Sequence, residues 1–207
     1  MSLTVQRVVT SGTFSLDGGT WEVDNNVWIV GDDRECVIID AAHDPAPILA
    51  AVGSRDVVAV LATHAHNDHI GAAVDLAETT DAPVWLHPED RMLWDAVHDS
   101  APERDLTDGQ RIAVAGTELV ALHTPGHSPG SCCFHQSDQH RLFTGDTLFQ
   151  GGPGATGRSY SDFPTIIASI TRLLSLPAQT VVHTGHGDDT TIGAEAPHLQ
   201  TWIDRGH

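Results

Sequence analysis

The 207-residue sequence contains no lysine. Its positive charge rests on ten arginines against 28 carboxylates, a formal net charge of -18. Phosphate backbones are held by basic faces, so this balance argues against nucleic acid as a partner. Most of the acidity reads as a solvated surface, and bound divalent cations would offset part of it locally. There are three cysteines, Cys36, Cys132 and Cys133, and they form no spaced framework. Such a set reads as reduced thiols in a cytoplasmic protein rather than as a disulfide scaffold. On a strand, adjacent Cys132 and Cys133 point to opposite faces, each serving as a small hydrophobe. No apolar run reaches the roughly 18–20 residues that span a bilayer, so no membrane is expected. The opening stretch Met1–Arg7 lacks the pattern of a signal peptide. Neither low complexity nor a fixed-period repeat is present, and the length suits one domain over 1–207. Composition carries no signal for oligomeric state.

Apolar runs alternate with turn signals along the chain. Val5–Val9, Val27–Val30 and Cys36–Ile39 are rich in β-branched residues and read as strands. Asp17-Gly18-Gly19 and Gly31-Asp32-Asp33 read as turns. Asp44 is placed to cap a short helix through 48–52, which Gly53 closes. A buried strand follows over 57–62, then a helix from Ile70 to Ala77. Next come a strand at 82–86, a helix at 89–97, and strands near 111–114 and 117–122. Two Pro-Gly pairs make 123–131 an irregular loop, with strands at 131–134 and 141–143 after it. Residues 150–161 are glycine-rich and read as a mobile loop. Ile166, Ile167, Ile170, Leu173 and Leu174 form an apolar stripe of helical spacing over 165–176. A strand at 180–182 and a helix from about 193 to 203 complete the order. Continuous apolar strands after a β-β-α-β opening imply that some strands are buried on both faces.

Chemistry concentrates in Thr63–Gly71, Thr-His-Ala-His-Asn-Asp-His-Ile-Gly. His64, His66, Asp68 and His69 fall within six positions, on a loop where a strand hands over to a helix. His127, Asp146 and His186 repeat the design, each beside Gly, Thr or Pro after a strand. One histidine beside a glycine is ordinarily structural, and Thr-Gly-Asp alone is ordinarily a turn. Three histidines and an aspartate in six residues are costly to keep together without a shared partner. Imidazole and carboxylate suit Zn²⁺, with Fe or Mn possible. Seven ligands exceed what one tetrahedral ion needs and match two ions sharing a carboxylate.

These segments resemble the metallo-β-lactamase superfamily and, within it, the glyoxalase II-like hydrolases. The resemblance is carried by 63–71, by His-Thr-Pro-Gly-His-Ser-Pro-Gly-Ser (123–131), by Phe-Thr-Gly-Asp-Thr-Leu-Phe (143–149) and by Thr-Gly-His-Gly (184–187). It runs in the family's order and approximate spacing from about residue 24 to about residue 193. It implies an α/β fold, a four-layer αβ/βα sandwich of two mixed sheets flanked by helices, with metals at one edge. It also implies the ligand set and catalytic centre: His64, His66 and His127 for one ion, Asp68, His69 and His186 for the other, Asp146 between both. Asp40, closing its strand, matches a position that supports the metal loop.

The implied reaction is hydrolysis of an acyl thioester of a low-molecular-weight thiol by two Zn²⁺ through a metal-bridging hydroxide. Asp68 would orient the nucleophile. A thiolate leaves without a strong general acid, since thiol pKa values lie near ~8.5. The partner would be a small-molecule substrate. A secreted lactamase is disfavoured by Asp146, a nuclease by the charge, and a flavodiiron-type protein by His66, where a Glu would stand. A mononuclear-iron persulfide dioxygenase resembles the same motifs, and a metal-binding scaffold without turnover is the non-enzymatic alternative. The chain is expected to be a short form without the helical C-terminal domain that binds glutathione, so another thiol carrier or a small acyl ester fits as well. The stretch Gly157–Phe163 departs from the compact Gly-Arg-Thr-Asp-Phe of the family. Within it Arg158, as a carboxylate clamp, and Tyr160 are candidate substrate contacts. His123 and His183 read as strand-end packing, while His43, His87, His98, His135, His140, His198 and His207 have no ligand-like context.

Overall fold

Asp17 and Gly18 both adopt left-handed backbone, with φ of 52° and 77°. Two such residues in succession make the hairpin turn whose twist matches its strands, and Asp-Gly supplies it cheaply. The turn joins β1 (Thr4–Leu16) to β2 (Gly19–Gly31), antiparallel along their whole length. The apolar runs at 5–9 and 27–30 are thus only the root of this hairpin. Its outer half is largely Thr, Ser, Gly and charged residues, so it lacks an apolar signal although the ladder continues. The structure, a computed structural model, describes residues 3–206. Met1 and Ser2 of the N-terminal stretch, and His207, lie outside the described residues.

The first sheet continues with β3 (Glu35–Ile39), β4 (Asp56–Leu61), β5 (Val84–Leu86) and β6 (Arg104–Asp105), in sequence order. From β3 onward the pairings are parallel. They are therefore linked by crossovers, which carry α1 (Pro45–Val52), α2 (Asn67–Ile70), α3 (Ala73–Thr80) and α4 (Arg91–Trp94). Asp44 caps α1 by accepting from Ala46 N at 2.9 Å. The second sheet uses β7 (Arg111–Val114), β8 (Thr117–His123), β9 (Cys132–Gln136) and β10 (Arg141–Gly145). After a small hairpin of β11 (Leu148–Phe149) and β12 (Gly152–Pro153), α5 (Phe163–Leu173) leads to β13 (Val181–Thr184) and β14 (Thr190–Thr191). The sheet order is β14-β13-β10-β9-β8-β7. The chain ends in α6 (Ile192–Glu195) and α7 (Leu199–Arg205).

Strand alternation sorts side chains into three cores and hence four layers. Val37, Ile39 and Leu61 of the first sheet pack between the sheets with Leu119, Phe134 and Phe143 of the second. Cys36, Ile38 and Val60 face outward onto Ile48 of α1 and Leu76 of α3. Leu142 and Val182 face outward onto Ile166, Ile170 and Leu173 of α5 and Trp202 of α7. Cys132 lies in the central core and Cys133 in the outer one, so the adjacent thiols do point oppositely. Burial raises the thiol pKa of all three cysteines. The architecture is the αβ/βα sandwich of two mixed sheets expected above.

Three helices differ from their reading. The one from Ile70 is broken at Gly71–Ala72 into α2 and α3, which lets α2 turn Asp68 and His69 inward. The span 89–97 is a 3-10 turn (Pro88–Asp90) followed by the four residues of α4, because Asp90 is drawn into the interior. The last helix is interrupted by a 3-10 turn at Pro197, whose ring nitrogen cannot donate. Part of the glycine-rich stretch 150–161 is strand β12. Among the described residues no helix is long and apolar enough to cross a membrane.

Candidate metal centre

Five segments end at one edge of the sandwich, and each delivers polar side chains there. The loop after β4 and α2 bring His64, His66, Asp68 and His69, all buried. The loop between β8 and β9 brings His127, the end of β10 brings Asp146, and the end of β13 brings His186. Their ligand-type atoms fall into three overlapping groups, each within 4.8 Å: His64, His66, His127; His64, His69, Asp146; and Asp68, His69, His186. Close approach of backbones makes this possible. A Cβ at Gly145 would run into Thr63 Oγ1, and one at Gly185 into Asp146 Oδ1 and His69.

The imidazoles are turned by bonds on their far nitrogens. His127 Nδ1 donates to Ala155 O at 2.9 Å and His186 Nδ1 to Asp24 O at 2.7 Å, leaving each Nε2 to face the cluster. His69 Nδ1 lies 3.0 Å from Asp40 Oδ2, and its Nε2 faces His186 Nε2 at 3.2 Å and Asp146 Oδ1 at 3.3 Å. His66 Nδ1 is 3.0 Å from both His64 Nε2 and His127 Nε2. Asp146 reaches both sides, with Oδ2 3.6 Å from His127 Nε2 and 3.4 Å from His186 Nε2. Asp40 also accepts from Thr63 N at 2.7 Å and Thr63 Oγ1 at 2.8 Å. It therefore holds the start of the His loop as well as His69. It does so from left-handed backbone, φ 58°, a conformation that costs a non-glycine residue energy.

Two side chains that the sequence did not flag complete the frame. Asn25 Nδ2 donates to Asp68 Oδ2 at 3.0 Å. Asp90, fully buried, accepts from Ala65 N at 2.9 Å, Ser128 Oγ at 2.7 Å and Gly130 N at 2.5 Å. It ties the His64–His66 loop to the His127 loop. No motif marked it, since it sits in a helix-like His-Pro-Glu-Asp run. His87 and His123 stack 4.0 Å apart with Glu89 beside them, a grouping that was not expected. There His123 Nε2 donates to Pro129 O at 2.9 Å, so one of its nitrogens is already used.

The donor set fits metal ions. Asp68 Oδ1 and Asp146 Oδ1 are buried polar atoms without a hydrogen-bond partner, an arrangement that is costly unless something else meets it. Facing imidazole nitrogens at 3.0–3.2 Å match the roughly 3 Å edge of a site whose metal–nitrogen bonds are about 2.0–2.1 Å. Electrostatics divides the cluster in two. Burial, then the neighbouring imidazoles, pushes His64 down, and His66 falls to about 3, so both present lone pairs at neutral pH. Burial also opposes charge on His186 and His69, but nearby carboxylates outweigh it. Asp146 chiefly lifts His186 to about 10, and His69 rises through Asp146, Asp68 and Asp40. Asp68 is raised by burial yet brought to about 2 by the His69 charge and the His186 hydrogen bond. Without a metal, protons on His69 and His186 supply the cation that these carboxylates require.

A cavity of about 240 Å³ opens over the cluster. Phe14, Leu16, Trp21 and Val23 of the hairpin line it together with Ala155, Arg158, Ser159 and Ser161 of the loop after β12. Tyr160 does not line it; its side chain is exposed and its φ is 69°.

The family model for the metallo-β-lactamase superfamily matches residues 20–186. The chain belongs to that superfamily. Within the superfamily it is 33% identical over 181 residues to the hydroxyacylglutathione hydrolase GloC of Haemophilus influenzae, covering 79% of this chain and 85% of that one. Among solved structures it is similar to the B3 metallo-β-lactamase BLEG-1, with a TM-score of 0.81 and 30% identity over 93% of this chain and 99% of that one. It is also similar to TTHA1623 in a di-iron-bound form, with a TM-score of 0.74 and 35% identity over 90% of this chain and 96% of that one. Superfamily membership and the His/Asp clusters support a metal-dependent hydrolase in general.

Proposed function

We propose that the chain is a dinuclear-zinc hydrolase that cleaves an acyl thioester of a low-molecular-weight thiol. The observation that carries this reading is the convergence of seven ligand-type side chains, two of them with orphaned buried carboxylate oxygens, beneath one cavity. Likeness to GloC adds support for the thioester class. His64, His66 and His127 would hold one ion, Asp68, His69 and His186 the other, with Asp146 shared. Two divalent ions, if held there, would supply Lewis acidity and would lower the pKa of a water toward about 7.

The chain's own groups do the rest. Asp68, anchored by Asn25, stays ionised and can orient a water in the cavity through its carboxylate. Asp40 keeps the His69 Nδ1 proton directed away from the cluster. The apolar side chains of the hairpin would lie against a bound substrate and shield part of it from water. A departing thiolate needs no acid at neutral pH, given a thiol pKa near ~8.5, which is why a thioester suits a cavity without a protonated acid over the reaction centre.

Elemental analysis of the purified protein should find close to two zinc per chain. One iron with no zinc would overturn the reading in favour of a mononuclear dioxygenase. Two iron would keep the dinuclear frame and change only the metal, as the di-iron form of TTHA1623 suggests. Asp146→Asn should lose the second ion and at least a hundredfold in kcat/KM on a responsive thioester. Full dinuclear occupancy in that variant would remove Asp146 from its shared role.

A further inference from the structure

Among the described residues the cavity lining holds one arginine, Arg158, and its other basic side chains are the histidines of the cluster. Its guanidinium carbon lies 4.0 Å from the Trp21 ring centroid and 5.7 Å from that of Phe14. A guanidinium laid on an aromatic face keeps its donors free, because all of them lie in its plane. Among the described residues that guanidinium makes no hydrogen bond or ion pair. Other arginines of this acidic chain do find carboxylates: Arg91 with Asp95, Arg111 with Glu118, Arg172 with Asp108. Asp17 feels the charge of Arg158, and its Oδ2 accepts from Ser159 N at 3.0 Å. That bond fastens the loop to the hairpin turn and keeps the guanidinium at the cavity.

The wall beside it is apolar. Phe14 and Trp21 are cross-strand partners whose rings stack 5.7 Å apart, and the Phe14 ring packs 5.1 Å from that of His66. One continuous surface thus runs from a cation at the rim to the metal-ligand cluster. A cavity of about 240 Å³ lies below the range of roughly 300–1,000 Å³ typical of drug-sized ligands. The occupant is therefore compact.

We propose that Arg158 and the aromatic face of the hairpin form a recognition subsite for a compact amphipathic carboxylate. Its apolar body lies on Phe14, Leu16 and Val23, and its carboxylate takes the open edge of Arg158. Trp21 is a positioning residue on whose ring face Arg158 rests. This rests on the hydrolase reading above, the substrate being a thioester with a carboxylate on its acyl group or on its thiol carrier.

The first test needs no turnover. The protein as purified is titrated with 3-phenylpropionate, and with neutral 3-phenylpropionamide, by isothermal titration calorimetry. The carboxylate should bind at least about tenfold more tightly, as a charge-assisted bidentate pair warrants. Arg158→Gln should abolish that preference, whereas a carboxylate captured by metal alone would bind the variant unchanged. Trp21→Ala should weaken binding while Trp21→Phe, which keeps the platform, restores it. Equal binding of acid and amide, or an unaltered Arg158→Gln, overturns the proposal. The second test separates the two sources of charge. Propionyl-N-acetylcysteamine (neutral), succinyl-N-acetylcysteamine (acyl carboxylate) and S-propionyl-3-mercaptopropionate (thiol carboxylate) are compared by KM. One anionic substrate should show a KM about tenfold below the neutral one, lost in Arg158→Gln. Arg158-dependent carboxylate binding with no thioester turnover would sink the hydrolase reading and leave the subsite standing. Turnover indifferent to charge would do the reverse.

Discussion

Asp90 shows how much one carboxylate can organise. Its two oxygens accept three bonds from two loops, and those loops carry His64, His66 and His127. Asp90→Ala orphans two buried backbone N–H groups, of Ala65 and Gly130, at about 1–3 kcal/mol each before relaxation, and leaves the Ser128 hydroxyl only its bond with Ser131 Oγ. We expect a loss of about 3–5 kcal/mol, read as a lower denaturation midpoint. Competition with a chelator should show the first ion weakened more than the second. Equal weakening would mean that Asp90 supports the fold without positioning that site. A pH dependence follows at the same scale. His186, raised to about 10, must release its proton to ligate, whereas His64 and His66, lowered, are already neutral at pH 7. Affinity of the second centre should rise from pH 7 toward 10 by up to tenfold per unit per proton displaced, and that of the first should change little. Calorimetric metal titration at three pH values distinguishes the two. In the metal-free chain the sign is opposite. Charged His186 stabilises fully below about pH 6.5 and loses that contribution as pH rises through about 10.

Elements explain what the sequence disclosed and what it hid. Residues 63–71 were legible because four ligand types crowd one loop, and 123–131, 143–149 and 184–187 because their order matched a known pattern. Asp90 and Asn25 were not, since each is one polar residue whose partners lie 25 to 43 positions away. The inner strands showed as apolar runs, but residues 10–16 and 19–26 did not. Their few apolar side chains alternate with polar ones and line the cavity rather than a core, and only the Asp17-Gly18 turn announced a hairpin. The broken helices at 70–77 and 89–97 were misjudged for one reason: interior hydrogen bonds and ligand placement overrode local periodicity. The junction of β13 with the metal cluster offers a test. Gly185→Ala would drive a methyl into Asp146 and His69, so bound metal should fall below half of wild type by elemental analysis. Full occupancy would mean that the strand end yields freely.

At the scale of the whole molecule, the proposed ligands are shared between two sheets. His64 to His69 extend from the first, and His127, Asp146 and His186 from the second. Ions at this seam should tie the halves together. An ion at a hundred times its Kd adds about 2.7 kcal/mol, and a chain of this size gains about 2–4 °C per kcal/mol. Chelation should therefore lower Tm by roughly 10–20 °C, and readdition should restore it; an unchanged Tm would deny the ions a structural part. Division of the ligands also sets a calendar for biogenesis. During synthesis the His64–His69 loop emerges long before Asp146 and His186 exist, and domains assemble as their chain becomes available. A nascent chain therefore holds isolated donors but no centre. Metallation, and with it any hydrolytic power, waits until the second sheet has closed on the first, so an unfinished chain has no assembled site with which to hydrolyse cellular thioesters.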